Sequence, residues 1–237
     1  MSDLSEARTL LADANKVLVA KGVLDAYGHV SMRNPENPQE YLLARNLAPA
    51  LVRPEDIIIY RLDSDTQDPR TGYLERFIHG EIYAGRPDVH AVVHSHSASV
   101  IPFSISEVPL RAVWHMAGFL GTKTAVFEMR NFAGDASDLI ISDRKLGEAL
   151  SHVLSASAVV LMRGHGSVAV GESVEQAVWR SVFTELNARV QLAAHGLGSY
   201  MELTEAEGVA TAEMNAGQIR RAWEIWRSEV TSLGASR

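Results

Sequence analysis

Three histidines fall within seven residues of the stretch HAVVHSHSAS (90–99), in a chain that holds nine. A β-strand puts residues i and i+2 on one face. His94 and His96 would therefore present two imidazoles side by side, as a metal ion needs for two adjacent ligands. Composition alone yields one such His-x-His pair about three times in ten, so the pair needs a partner. His165 supplies one. In RGHGS (163–167) it stands between two glycines, which let the backbone turn tightly and bring the ring close to another element. Two strand histidines and one on a neighbouring turn form a facial set with open coordination positions, as catalytic metal sites have. The competing reading of His165 is a solvated ring on a surface turn. Glu75, just before the histidine strand, is a candidate acid/base or fourth ligand. His79 and Glu81, further along the same segment, read as structural residues.

The elements that must position these groups follow from the apolar spacing. Leu4, Ala7, Leu11, Ala14 and Leu18 form a helical stripe that Gly22 stops. YGHVSMR (27–33), YLLA (41–44) and DIIIYRL (56–62) read as strands, followed by a polar loop over 63–72. A helix is expected over 75–86, halted by Pro87. In the strand 89–96, Val89, Ala91 and Val93 should face one way, with His90, Val92, His94 and His96 facing the other. Residues 139–157 read as a strand end and a helix, and 158–171 as two short strands around the GHG turn. A long helix runs from Ser173 towards His195 on the stripe Val174, Val178, Val182, Leu186 and Val190, opened by a Ser173–Gln176 capping box. A final helix follows Thr204 and carries Trp223 and Trp226. Strands flanked by helices imply one α/β domain of three α/β/α layers over 1–237, with a helical extension at about 204–233.

Composition removes several classes of function. With 237 residues, 46% hydrophobic and 22% charged, the chain can bury one sizeable core. A net charge of −7 with scattered Lys and Arg argues against nucleic-acid and anionic-membrane partners. No apolar run approaches the length of a membrane span. With no cysteine there is no disulfide, thiolate site or Cys nucleophile. The first residues, MSDLSEARTLLADANKVLVAKG, lack a signal-peptide pattern, and a cytoplasmic location is expected.

ERFIHGEIYAGRPDVHAVVHSHS (75–97), followed by MRGHGSVAVGESVEQAV (162–178), resembles the class II aldolase/adducin family over roughly residues 5–200. The resemblance implies a mixed, largely antiparallel sheet between helical layers. It implies a divalent metal on His94, His96 and His165, with Glu75 as proton carrier or ligand, and a homotetramer with active sites at subunit interfaces. The departures from the sugar-phosphate aldolases are specific. Their Gly-Asn-x-Ser is GHVS here (28–31), their Thr-Gly or Ser-Gly loop is ARNLAPALV (44–52), and their serine pair is Tyr73 and Leu74. Small hydroxyls and free N–H groups that cradle a phosphate are thereby lost, so a phosphorylated sugar should bind poorly.

The replacing stretches resemble another branch, the decarboxylases of hydroxylated aromatic or pyridine carboxylates. That branch implies a small hydroxy carboxylate as substrate and one divalent ion, Mn2+ or Zn2+, with Fe2+ or Co2+ as alternatives. The ion would act as an electron sink for the breaking carbon–carbon bond, and Glu75, its pKa raised by burial, would donate the proton. His29 takes the position of the aldolase asparagine. Arg76, or with less support Arg33, could pair with a carboxylate. Ser31 and Asn46 are candidate substrate contacts; Trp114, His115 and Phe119 could wall a planar ring, and His115 could reach a neighbouring subunit's site. Two alternatives stay open: an aldolase-type lyase on an unphosphorylated hydroxy-keto acid, and an adducin-like assembly domain without catalysis.

Overall fold

The computed structural model describes residues 3–234. Helix α1 (Asp3–Ala20) precedes the antiparallel strands β1 (His29–Arg33), β2 (Glu40–Ala44) and β3 (Ile57–Arg61). Helix α2 (Arg76–Gly85) leads into β4 (Ala91–Ser95) and the short α3 (Ile101–Ile105). Then come β5 (Ala125–Phe127), α4 (Arg130–Ala133), α5 (Arg144–Leu154), β6 (Val159–Met162) and β7 (Gly166–Gly171). Helices α6 (Val174–Leu197), α7 (Glu205–Ala216) and α8 (Ile219–Gly234) complete the described chain.

The seven strands form one sheet in the order β3-β2-β1-β4-β7-β6-β5. Every neighbouring pair is antiparallel except β5 with β6. Alternation along the strands splits the core between the two faces. Val30, Leu42, Ile57, Ala91 and Val93 pack with Leu11, Leu18, Val178 and Trp223 of α1, α6 and α8. Tyr41, Leu43, Ile58, Val92 and Val168 pack on the other face with Ile78 and Ile82 of α2 and Leu150 of α5. The expected three layers are thus present, and the central strands β1, β4 and β7 are covered on both sides. No helix among the described residues is long and apolar enough to cross a membrane.

Local details depart from the sequence reading. The histidine strand begins at Ala91, so Val89 joins the α2 face with Val92 and His90 is exposed. No strand forms at 139–142. The Ser173 hydroxyl caps α6 by accepting from the Gln176 amide, but the Gln176 side chain accepts from Glu172 N, one residue before the cap. Only half of the expected capping box is made. The single C-terminal helix is two, separated at Gly217 and Gln218. There the buried Asn215 amide donates to His115 O and ties the end of α7 to the 115–120 turn.

Candidate metal centre

Three elements bring four side chains together. Glu75 sits at the N-terminal boundary of α2. His94 is on β4, facing α2 as Val92 does, and its register partners are His29 on β1 and Val168 on β7. His96 lies one residue beyond the end of β4. His165 is in the turn between β6 and β7, where Gly164 at φ +64° makes the bend and Gly166 lets the chain lie against Ser95.

The ring nitrogens converge. His94 Nε2 lies 3.1 Å from His96 Nε2, which lies 2.9 Å from His165 Nε2. Glu75 Oε2 is 3.2 Å from His94 Nε2 and 3.5 Å from His165 Nε2. One ligand atom from each residue falls within 4.8 Å of all the others. Ligands about 2.1 Å from a tetrahedral ion stand roughly 3.4 Å apart, so the donor set fits one divalent cation. Outer contacts set the tautomers. His94 Nδ1–H donates to Ser167 O at 3.2 Å and His165 Nδ1–H to Leu139 O at 2.7 Å. Both rings then turn an Nε2 lone pair inward, as metal-bound histidines do. Glu75 is oriented in the same way, its Oε1 accepting from Ile141 N at 3.2 Å.

Electrostatics follow from packing one carboxylate against several imidazoles. Burial pushes the Glu75 carboxyl up, but the adjacent His94 and His165 outweigh it and hold the group well below the usual carboxylate range. The burial-raised carboxyl expected from the sequence is therefore corrected: Glu75 is ionised at rest. Burial is the largest single effect on His165 and lowers it, but the hydrogen bond to Glu75, the charge of that carboxylate and the Leu139 carbonyl together outweigh burial and raise it. His96 is lowered to about 4 by burial and by the neighbouring rings of His94 and His165. His29, fully buried against His79 and His94, is held well below the ordinary imidazole value.

The other sequence candidates are placed unevenly. The His29 ring lies 5.2 Å from that of His94 and 4.6 Å from that of Tyr73. Ser31 is fully buried beneath the site, bonded to His79 and Tyr83, so the expected substrate contact is replaced by an internal one. Arg76 does not reach the cluster: it donates to Ser64 O and Tyr73 O and lies over the Phe77 ring. Arg33 is buried, with its donors on the carbonyls of Pro38, Tyr83, Arg86 and Val89. Asn46 is exposed, and its amide N–H donates to Thr71 O. Trp114 packs edge-on to Phe183 and His115 is exposed beside it; neither touches the cluster within the described residues of one chain.

Sequence reasoning read His79 as structural, which its burial and internal bonds agree with, and did not single out Tyr83. Their signal was spacing: i and i+4 on α2 face the i and i+2 pair His29 and Ser31 on β1. Aromatic side chains flank the cluster, and the charge of the exposed Asp25 acts on His96. Tyr27, 68% exposed, lies 6.4 Å from the His96 ring. Leu74 is 66% exposed, and Tyr73 is anchored by donating to Leu47 O at 2.5 Å.

A family model for the class II aldolase and adducin N-terminal domain matches residues 9–192. The decarboxylase tropJ of Talaromyces stipitatus is 38% identical over 252 residues, covering 96% of this chain and 94% of that one. The 3,4-dihydroxyphthalate decarboxylase of Rhodococcus jostii is 28% identical, covering 97% and 96%. Among solved structures, an aldolase II superfamily protein from Pseudomonas syringae superposes with a TM-score of 0.80 at 24% identity, covering 99% and 96%. An L-fuculose 1-phosphate aldolase from Glaciozyma antarctica gives 0.78 at 22%, covering 98% and 91%. These two likenesses speak to the fold.

Proposed function

The chain belongs to the class II aldolase and adducin N-terminal domain family, and from that premise we propose that it removes CO2 from a hydroxylated aromatic or heteroaromatic carboxylate. The observation that carries this reading is the meeting of Glu75, His94, His96 and His165 around one cation-sized space. The full-length decarboxylase relatives support a decarboxylase over an aldolase. One carboxylate among three imidazoles leaves a bound dication with about one unit of unbalanced positive charge, which favours an anionic substrate.

When bound, a divalent ion (Mn2+ or Zn2+, with Fe2+ or Co2+ as alternatives) supplies the electron sink and orients the hydroxyl and carboxylate oxygens. His94, His96 and His165 hold it, with Glu75 beside them. Glu75, ionised at rest, accepts the substrate hydroxyl proton at Oε2. The carbon–carbon bond breaks, CO2 leaves, and its bonding pair stays on the ring carbon. The proton on Oε2 then moves to that carbon, restoring the carboxylate. Tyr27 and Tyr73 offer flat faces for a planar ring, and Tyr73 and Leu74 fill space that small hydroxyls would otherwise offer to a phosphate. We take the chain as one catalytic domain, with α7 and α8 as an extension, working as a homotetramer in which the exposed His115 reaches a neighbouring site.

Incubation with hydroxybenzoates, hydroxyphthalates and hydroxypyridine carboxylates, after loading with Mn2+ or Zn2+, should release CO2 and the decarboxylated ring. Carbonyl fragments from a hydroxy-keto acid would identify an aldolase instead. Purified protein that neither binds nor responds to a divalent ion would place it with non-catalytic assembly domains.

A further inference from the structure

Behind the cluster, four buried side chains are joined in one line. His29 Nδ1 lies 2.7 Å from His79 Nε2, His79 Nδ1 lies 2.6 Å from Ser31 Oγ, and Ser31 Oγ lies 2.7 Å from the Tyr83 hydroxyl. None of the four is more than 4% exposed. Each link needs one proton, and a neutral His79 carries its own on either Nε2 or Nδ1, which leaves two cases for the His29 link. If His29 Nδ1 donated, His79 would donate to Ser31, and either the Ser31 or the Tyr83 hydroxyl proton would be left over. That hydroxyl proton would need a further acceptor, and none is present among the described residues. A buried hydroxyl left without an acceptor costs about 1–3 kcal/mol.

The opposite direction satisfies every group. Tyr83 donates to Ser31, Ser31 to His79 Nδ1, and His79 Nε2–H to His29 Nδ1. The last link, His79 Nε2–H to His29 Nδ1, holds whether His79 is neutral or protonated; the link from Ser31 to Nδ1 requires the neutral ring, the form that complete burial favours. The His29 proton is thereby forced onto Nε2, which has no protein partner among the described residues, on a ring that lies against His94.

We propose that His79, Ser31 and Tyr83 are positioning residues that lock His29 as an Nε2–H donor aimed at an anionic oxygen of the substrate. The line fixes direction and does not feed protons: burial holds the Tyr83 phenol well above its ordinary value, so it keeps its proton. The donor role of His29 rests on the decarboxylase reading, whereas its tautomer does not.

Long-range 1H–15N correlation spectra of full-length, imidazole-15N-labelled protein loaded with diamagnetic Zn2+ test this, with His29→Gln identifying the His29 signals. The expected spectrum has His29 protonated at Nε2 and bare at Nδ1; protonation at Nδ1 would overturn the proposal without any variant having to fold. Tyr83→Phe removes the donor that starts the line. It should give mixed His29 tautomers and a kcat lowered about tenfold at unchanged KM and metal content. A Tyr83→Phe protein with the wild-type tautomer and rate would equally sink it. A protein with the expected tautomer but no CO2 release would leave the line standing and remove the decarboxylase reading alone.

Discussion

Replacing Gly166 by Ala should uncouple metal binding from folding. A Cβ at Gly166 would stand 2.0 Å from Ser95 O, 3.0 Å from Ser95 C and 3.1 Å from His96 Cα. A carbon–oxygen contact needs about 3.3 Å, so the turn must retreat from β4 by roughly 1.3 Å. All the atoms met are backbone, so no side chain can swing aside. The residues on either side of this contact are His96 and His165, whose Nε2 atoms are 2.9 Å apart, and metal bonds tolerate deviations of about 0.2 Å. The expected result is a loss of about 10- to 100-fold in divalent-metal affinity. Overpacking should cost about 1–3 kcal/mol, or a few degrees in Tm for a chain of this size. Gly164→Ala is the control. Its nearest atoms, on Ile105 and Leu139, are 3.8 and 3.9 Å away, but its φ of +64° is strained for alanine, costing about 1–2 kcal/mol. It should lower Tm with little change in affinity. Competition with a chelator followed by metal analysis, with calorimetry of the metal-free proteins, reads both quantities. A Gly166→Ala protein that binds metal as tightly as wild type, or less impaired than Gly164→Ala, refutes the reasoning.

Glu75→Gln should keep the cation but lose turnover by about 100-fold or more; complete loss of metal would make Glu75 an indispensable ligand and move the proton to another group. In the metal-free protein, His79 is held at about 3 by burial, then by the charge of His94. The unfolded chain therefore binds protons below about pH 6.5 that the folded chain refuses, so stability falls on acidification from that pH, by up to about 1.4 kcal/mol per pH unit from this ring. Denaturant titrations between pH 7 and 4 should show the slope, to which the similarly lowered His29 and His96 also contribute, and His79→Gln should reduce it by this ring's share. Chelation should lower Tm and added Zn2+ or Mn2+ should restore it in proportion to concentration, as mass action requires; a concentration-independent Tm would deny a specific site. Trp223→Ala, in the cluster that joins α8 to α1 and α6, should cost about 3 kcal/mol without altering metal affinity.

The parts of the site that repeat at short spacing were readable from the chain. His94 and His96 are two residues apart, and glycines mark the His165 turn, so strand geometry and steric freedom suffice to nominate them. The layers were readable for the same reason: the stripe in α1, that in α6 as far as Val182, and the apolar runs in β3, β6 and β7 follow fixed periods, whereas Val190, expected on the α6 stripe, is exposed. Partners chosen across space were not. Ser31 and Arg33 are polar residues on a strand, a pattern that suits a ligand contact or a solvated face equally well. Only the packing of α2 shows that both are consumed internally, Ser31 by His79 and Tyr83 and Arg33 by four carbonyls. Arg76 was misjudged similarly, because nothing local announces that its guanidinium closes the 64–73 loop. The break after Ala216 escaped because the apolar pattern continues through Gly217, and the tie that ends α7 comes from His115, a hundred residues away.

The short segment Leu139–Ile141 has no regular secondary structure, yet Leu139 O receives the His165 proton and Ile141 N–H grips Glu75. Two members of the cluster from distant parts of the chain, His165 and Glu75, thus share a single clamp. A shift of that clamp would drag both in concert, so small remodelling of the preceding stretch could retune ion preference while the sheet stayed still. Homologues that differ there, and nowhere else near the cation, are where altered metal selectivity should first be sought.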